Sequence, residues 1–343
     1  MSFEERLMRV LVTGGTGYVA GWCLVELLRR GYDVRTTVRS AAKEAAVRRA
    51  VGSEIDPGDR LEVVVADLTS DAGWAEAVAG CTYVLHVASP LGGDGSRDPD
   101  AFIGPARDGA LRVLKAATEA GVSRVVMTSS LAAAAPPIGT RSAEVFDETR
   151  WTDPDDRRLN PYRRSKAVAE RAAWDFIESA GGGTSLATVL PGAILGPVLE
   201  GQALGSVQLI GALLDGRLPG VPRLGYSVTD VRDLADLHLR AMLAPEAAGE
   251  RFVAVGEFLW LREAAREIRA KLGPDAAKVP MRGLPDFVLR GFALVNAGVR
   301  EVAPDLGRKN VYTSAKAQKL LGWQPRPAAA TVVDCARSLV AVH

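Results

Sequence analysis

A short apolar run that halts at a glycine-rich turn and resumes as a helix constrains this chain more than any other stretch in it. Residues 9–13 carry Val10, Leu11 and Val12, an unbroken apolar triplet of the kind found in a parallel strand buried on both faces. The run ends in Thr13-Gly14-Gly15-Thr16-Gly17-Tyr18-Val19-Ala20. Ala20, Leu24 and Leu28 then recur at helical spacing, Val19, Cys23 and Leu27 widen the stripe, and Gly31 stands where the helix should end. Such a strand–turn–helix aims backbone N–H groups and the positive end of a helix dipole at one spot, which is an anion site. Gly14 permits the tight turn, Gly17 lets the backbone approach a pyrophosphate, and Ala20 is small enough where helix meets strand. Gly14, Thr16, Gly17, Tyr18 and Val19 are therefore candidate contacts for a dinucleotide.

Strands and helices alternate from there. Asp33–Val38 reads as a second strand ending at Arg39. In a dinucleotide fold this edge meets the adenosine ribose, where an acid selects NAD and a base accommodates the 2′-phosphate of NADP. Here Arg39 is followed by Ser40 and Lys43, Arg35 lies on the same strand face, and no carboxylate competes, which predicts NADPH/NADP. Leu61–Val65 reads as the third strand, with Asp67 and Leu68 placed to meet the adenine or, for Asp67, to cap the helix around Trp74. Tyr83 opens the fourth strand, which runs into Val87, Ala88, Ser89 and Pro90, small enough for a cofactor to lie across the sheet edge; His86 reads as core. A helix over 100–120 and a fifth strand, Arg124–Thr128, follow, and a sixth strand is expected over 186–189.

This alternation predicts an α/β fold: a doubly wound parallel sheet of Rossmann type with a smaller C-terminal substrate-binding lobe. Residues 1–190 and 227–257 are expected to form the nucleotide-binding domain, with 231–243 as a helix and 251–255 as a returning strand. Residues 191–226 and 258–343 are expected to form the lobe. A 48% hydrophobic content supports a large core, and a net charge of +1 argues against nucleic-acid or membrane partners. The N-terminal residues have no secretion-signal pattern, and the apolar stretch 287–299 is cut by Arg290. Cys23, Cys81 and Cys335 are widely spaced and read as buried thiols in a reducing compartment, with no metal site. A cytoplasmic monomer or homodimer is expected.

The chemistry sits beyond the fifth strand, which ends in Thr128-Ser129-Ser130; later comes Asn160-Pro161-Tyr162-Arg163-Arg164-Ser165-Lys166, opening a long helix. Tyr162 and Lys166 are four apart and project from one helix face. Reducing a carbonyl takes a hydride donor, a proton donor to the developing alkoxide and a group that polarises the oxygen. A free phenol, with a pKa of about 10, is poorly matched to neutral pH, and an ammonium one turn away favours its ionised form. Ser130 is the candidate to hold the carbonyl oxygen, and Thr128 and Ser129 to support the cofactor. The spacing recurs in Tyr312-Thr313-Ser314-Ala315-Lys316, where Thr313 or Ser314 reads as the cap of a short helix, so this second pair is read as structural.

With this turn, Ser130 and Tyr162-x-x-x-Lys166 in this order, the chain resembles the extended short-chain dehydrogenase/reductases. Val38-Arg39-Ser40, His86-Val87-Ala88-Ser89-Pro90, Leu190-Pro191-Gly192-Ala193-Ile194-Leu195-Gly196-Pro197 and Leu320-Leu321-Gly322-Trp323-Gln324-Pro325 are similar to the dihydroflavonol reductase, cinnamoyl-CoA reductase and aldehyde reductase branch. The resemblance implies NADPH-dependent reduction of a ketone or aldehyde, with Pro191, Gly192, Ala193 and Ile194 near the nicotinamide. The Tyr162 segment departs from the plant cinnamoyl-CoA reductase signature, which argues against a CoA thioester. Leu131-Ala132-Ala133 stand where nucleotide-sugar dehydratases carry an acidic pair, and residues 101–120 contain no Asn for a proton-relay water. The expected pocket for a small-molecule substrate is apolar, drawn from Pro90, Leu91, Ala132 to Pro136, Ile194 and Leu199. Two other readings stand beside the reductase: an NAD-dependent epimerase or hydroxysteroid-type dehydrogenase, with Arg217 and Arg223 as phosphate ligands, and a non-catalytic NADP sensor.

Overall fold

The computed structural model describes residues 8–90, 100–140, 144–200, 205–294 and 297–341. Seven strands form its central sheet: β1 Arg9–Val12, β2 Asp33–Val38, β3 Leu61–Val65, β4 Tyr83–His86, β5 Arg124–Thr128, β6 Ser185–Pro191 and β7 Glu250–Ala254. Their spatial order is β7-β6-β5-β4-β1-β2-β3, and each neighbouring pair is parallel. The doubly wound parallel sheet expected from the sequence is therefore present. The strand expected over 186–189 is longer at both ends, and the one expected over 251–255 pairs with it, Phe252 opposite Val189.

Because a parallel strand is covered on both faces, its alternate side chains enter two different cores. Val10 and Val12 pack with α1 (Tyr18–Arg29), α2 (Glu44–Gly52) and, through Leu234 and Leu237, the later helix Val231–Leu243. Leu11 points the other way, into the core of α3 (Asp100–Glu119) and α4 (Pro161–Ala180). Helix α1 closes as its sequence suggests: Arg30 is the cap and Gly31, at φ +82°, carries the left-handed turn. The helix Val231–Leu243 is α5. The strand order reverses between β1 and β4, so the carboxyl ends of these two strands open the crevice where an α/β sheet binds its ligand.

After β6 the chain leaves this sheet. Ala193–Leu195 pairs in parallel with Gly225–Asp230, which pairs antiparallel with Phe258–Trp260. The boundary expected at residues 226 and 227 thus falls inside a strand. Two bonds from α1 anchor the departure: Tyr18 Oη donates to the Gly196 carbonyl and Trp22 Nε1 to that of Pro197, both at 2.9 Å. Among the described residues no helix is long and apolar enough to cross a membrane.

Two buried histidines tie the carboxyl ends of the strands in place. His86 Nδ1 lies 3.0 Å from Thr13 Oγ1, which also accepts from the Ala88 N–H. His238 Nδ1 lies 2.7 Å from the Leu234 carbonyl, leaving Nε2 to accept from Thr128 Oγ1 at 2.7 Å. Burial pushes His86 down to about 3 and His238 to about 4 from the ordinary 6.5, and the neighbouring Lys166 lowers His86 further. The unfolded chain therefore takes up protons at these rings below pH ~6.5, whereas the folded chain does not until about pH 4. Stability should be full above pH 6.5 and fall through that window, by on the order of 3 kcal/mol for His238 alone. Urea unfolding from pH 7.5 to 4.5 checks this: His238→Asn should flatten the slope, and an unchanged slope would count against the neutral ring.

Candidate active site

The glycine turn fits an anionic ligand. Gly14 has φ +75°, and a Cβ there would stand 2.9 Å from the Ala88 Cβ. The ends of β1 and β4 therefore approach as closely as backbone permits. Thr37 Oγ1 holds the Gly14 N–H at 2.9 Å, and Gly17, the first cap of α1, offers no side chain to its free amides. No acid lies in the first turn. The residues present suit a pyrophosphate, held by the backbone N–H groups at the start of α1. Thr16 is exposed, and Val19 is half-buried at the helix start.

At the edge of β2, Arg39 and Lys43 are exposed and neither has an ion-pair partner among the described residues. Arg35 is different. It is buried, pairs with Glu62 at 2.9 Å and donates to the carbonyls of Glu76, Ala77 and Ala79, so it supports the sheet and is lost to the ribose. Asp67 is engaged as well: Oδ1 accepts from the Thr69 N–H and hydroxyl, each at 2.8 Å, and these bonds hold the carboxyl below its usual range. It does not cap the helix at Trp74, whose cap is Gly73. Leu68 packs beside Gly109 of α3.

Tyr162 and Lys166 occupy the first turns of α4, where Asn160 caps the helix by accepting from the Arg163 N–H at 2.8 Å and Pro161 starts it. The Lys166 ammonium lies 5.9 Å from the Tyr162 ring centroid and donates to Ser89 Oγ at 3.2 Å. Lys166 is buried, whereas Tyr162 is 41% exposed. The serines after β5 diverge. Ser129 Oγ turns inward and donates to Glu170 at 2.5 Å, while Ser130 Oγ accepts from the Ala132 N–H at 3.1 Å and lines a cavity with Tyr162. The hydroxyls of Thr128 and Ser129, expected to support the cofactor, are thus spent on His238 and Glu170.

That cavity measures about 470 Å³ and lies over the turn Pro191-Gly192-Ala193. The turn is close-packed: Gly192 N–H donates to Thr229 Oγ1 at 2.9 Å, and a Cβ on Gly192 would collide with the Ser227 carbonyl. Of the expected pocket residues, Ala132, Ala135 and Pro136 line the cavity. Leu199 does not; it is buried in the core beneath, and Ile194 packs on the same core. Pro90 is outside the lining too, and Leu91 lies outside the described residues. Further residues that the sequence alone did not place there also line the cavity: Arg163 from α4 and, from the lobe, Tyr226, Phe258, Asp305, Arg308 and Tyr312. Arg163, immediately after Tyr162, was the one of these with a legible position. Tyr312 itself sits in the strand Val311–Tyr312 while Lys316 pairs with Glu250, so the second Tyr-x-x-x-Lys forms no shared face. Arg217 and Arg223 are paired with Asp215 and Asp286.

Glu170, four residues beyond Lys166 on the same face of α4, was also missed, although an acid among Ala167, Ala169 and Ala173 was the available signal. Its carboxylate is fully buried and bonds Arg251 Nε and Thr188 Oγ1, each at 2.8 Å, besides Ser129. Arg251 in turn lies 3.6 Å from the Trp151 ring and donates to the carbonyls of Glu148 and Arg150. Removing one partner strands a buried charge, so Glu170→Ala should destabilise the protein by roughly 3–5 kcal/mol in urea unfolding, and a loss under about 1 kcal/mol would refute the role.

The known proteins this chain resembles agree with the fold. The family model described as "NAD dependent epimerase/dehydratase family" matches residues 10–256. Cinnamoyl-CoA reductase 1 of Petunia hybrida is 36% identical over 270 residues, covering 78% of each chain. The ketoreductase azaE of Aspergillus niger is 34% identical over 317 residues, covering 86% of this chain and 91% of its own. The solved structure of yeast methylglyoxal/isovaleraldehyde reductase Gre2 with NADPH superposes with a TM-score of 0.80 at 25% identity, covering 97% of this chain and 98% of that one. The chain belongs to the NAD dependent epimerase/dehydratase family, in its extended short-chain dehydrogenase/reductase branch of dihydroflavonol, cinnamoyl-CoA and aldehyde reductases.

Proposed function

We propose that this protein is an NADPH-dependent carbonyl reductase that converts a ketone or aldehyde to the alcohol with Ser130, Tyr162 and Lys166. The observation that carries this reading is the convergence of Ser130 and Tyr162 on one largely apolar cavity, with Lys166 reaching from the tyrosine to the loop after β4. Bound NADPH supplies the hydride for the carbonyl carbon. The chain's own residues handle the oxygen. Ser130 already accepts from the Ala132 N–H, so its hydroxyl proton is free to be donated to the carbonyl oxygen. Tyr162 delivers its phenolic proton to the same oxygen as negative charge develops there. The Lys166 ammonium stabilises the phenolate left behind, and Ser89 fixes its position. Because burial holds His86 neutral, it adds no second positive charge beside Lys166.

Arg39 and Lys43 bind the 2′-phosphate in this reading, as exposed cations at the edge of β2 with no salt bridge among the described residues. The same reading gives residues 1–190 with α5 and β7 to the nucleotide, and residues 191–224 and 258–343 to the substrate together with the whole strand Gly225–Asp230, which the expected boundary would have cut. A cytoplasmic monomer or homodimer acting on a small molecule is the matching cellular picture. Arg217 and Arg223 are neutralised by their own acids, which leaves the sugar-nucleotide reading without its phosphate ligands.

Tyr162→Phe should lower kcat with a carbonyl substrate by about 10²–10⁴-fold while the Kd for NADPH, read by fluorescence titration, stays within about threefold. Retained turnover would remove Tyr162 from the chemistry. Arg39→Asp should weaken NADPH binding by at least about tenfold and leave NADH binding unchanged or stronger; equal losses for both nucleotides would contradict the 2′-phosphate role.

A further inference from the structure

The lobe side of the cavity carries polar groups that carbonyl reduction does not use. Arg163 and Asp305 form an ion pair at 2.5 Å there, so that acid is already committed. Arg308 lines the same cavity, is half-buried, and has no side-chain partner among the described residues. The hydroxyls of Tyr226 and Tyr312 and the amide of Asn310 are likewise without a protein hydrogen bond among the described residues. The loop that presents Arg308 is fixed, with the Gly307 N–H donating to the Arg223 carbonyl at 2.7 Å and the Arg308 N–H to that of Asp305 at 3.1 Å.

Charge continues in one direction from this point. A second cavity, of about 870 Å³, shares Arg308 and Asn310 with the first, and among the described residues its walls carry Arg290 and Lys309 and no carboxylate. Its remaining cation, Arg223, is paired with Asp286. An apolar chamber that ends in an unpaired guanidinium and free phenols is built for a molecule that is apolar in the middle and anionic at one end.

We propose that the substrate is an acidic carbonyl compound, its carbonyl oxygen at Ser130 and Tyr162 and its remote carboxylate or phosphate held by Arg308 with hydrogen bonds from Tyr226 and Tyr312. The proposal rests on the carbonyl reductase reading for the first end and on the Arg308 cluster for the second. Both tyrosines stay protonated and therefore donate: burial, reinforced by Asp305, pushes Tyr226 up to about 12, and burial also raises Tyr312. Arg163, paired with Asp305, offsets that acid's repulsion toward the anion in part, and the unpaired charge of Arg308 is what attracts it.

Binding, measured apart from turnover, tests this. The NADP-saturated protein is titrated calorimetrically with 4-oxo-4-phenylbutanoate, its neutral methyl ester, and phenacyl phosphate. One or both anions should bind at least about tenfold more tightly than the ester, and the tighter of the two names the acidic group. Arg308→Ala should erase the preference, Arg308→Lys should restore most of it, and ester binding should change by less than about threefold in either variant. Equal binding of anions and ester, no measurable binding of any, or an equal loss for all three in Arg308→Ala would overturn the proposal. An intact, Arg308-dependent preference without NADPH consumption on any of the three would uphold the anion site and count against the reductase reading instead.

Discussion

A carboxylate with no access to water must be neutralised where it stands, and Glu170 is such a group. It takes the guanidinium of Arg251 from β7, the hydroxyl of Thr188 from β6 and the hydroxyl of Ser129 after β5, while itself belonging to α4. Four elements remote in sequence are thereby held at one point. Ser129 precedes Ser130, and Glu170 follows Lys166 by one helical turn, so the residues read as the proton-handling group hang from either side of this junction. The edge strand β7, which closes the sheet, matters to the site chiefly through Arg251.

Electrostatics around the cavity follow from what burial permits. The two internal histidines are kept neutral by burial, which at His238 outweighs the pull of the Leu234 carbonyl toward the protonated ring. Lys166 stands beside a half-exposed Tyr162, with Ser89 as its hydrogen-bond partner. At the lobe end the committed pair Arg163–Asp305 and the uncommitted Arg308 divide the polar wall into a neutral part and a cationic one.

What could be read in the chain before its fold was known depended on distance along the chain. The turn at Gly14 and Gly17, the apolar strands and the helix opening at Pro161 are set by neighbouring residues, and period and capping reveal them. The divergence of Ser129 and Ser130 was not legible locally, because Glu170, which turns Ser129 inward while Ser130 lines the cavity, belongs to another element. Arg35 looked like a ribose ligand because it shares a strand face with Arg39, yet three carbonyls near Ala77 claim it. Leu199 read as pocket because it is an apolar residue near the expected sheet edge, and instead fills the core. The lobe residues Tyr226, Asp305, Arg308 and Tyr312 come from short strands and loops whose meeting depends on tertiary packing, and no local pattern marks them.

The central claim is direct hydride delivery to a carbonyl carbon in the cavity beside Tyr162. It is tested most directly by incubating the protein with an aldehyde and NADPH deuterated at both C4 positions, then locating the label by mass spectrometry and NMR. The account predicts one deuterium on the former carbonyl carbon and a solvent-derived proton on the oxygen. Alcohol formed without deuterium at that carbon, or cofactor left unoxidised across ketones and aldehydes, would contradict it.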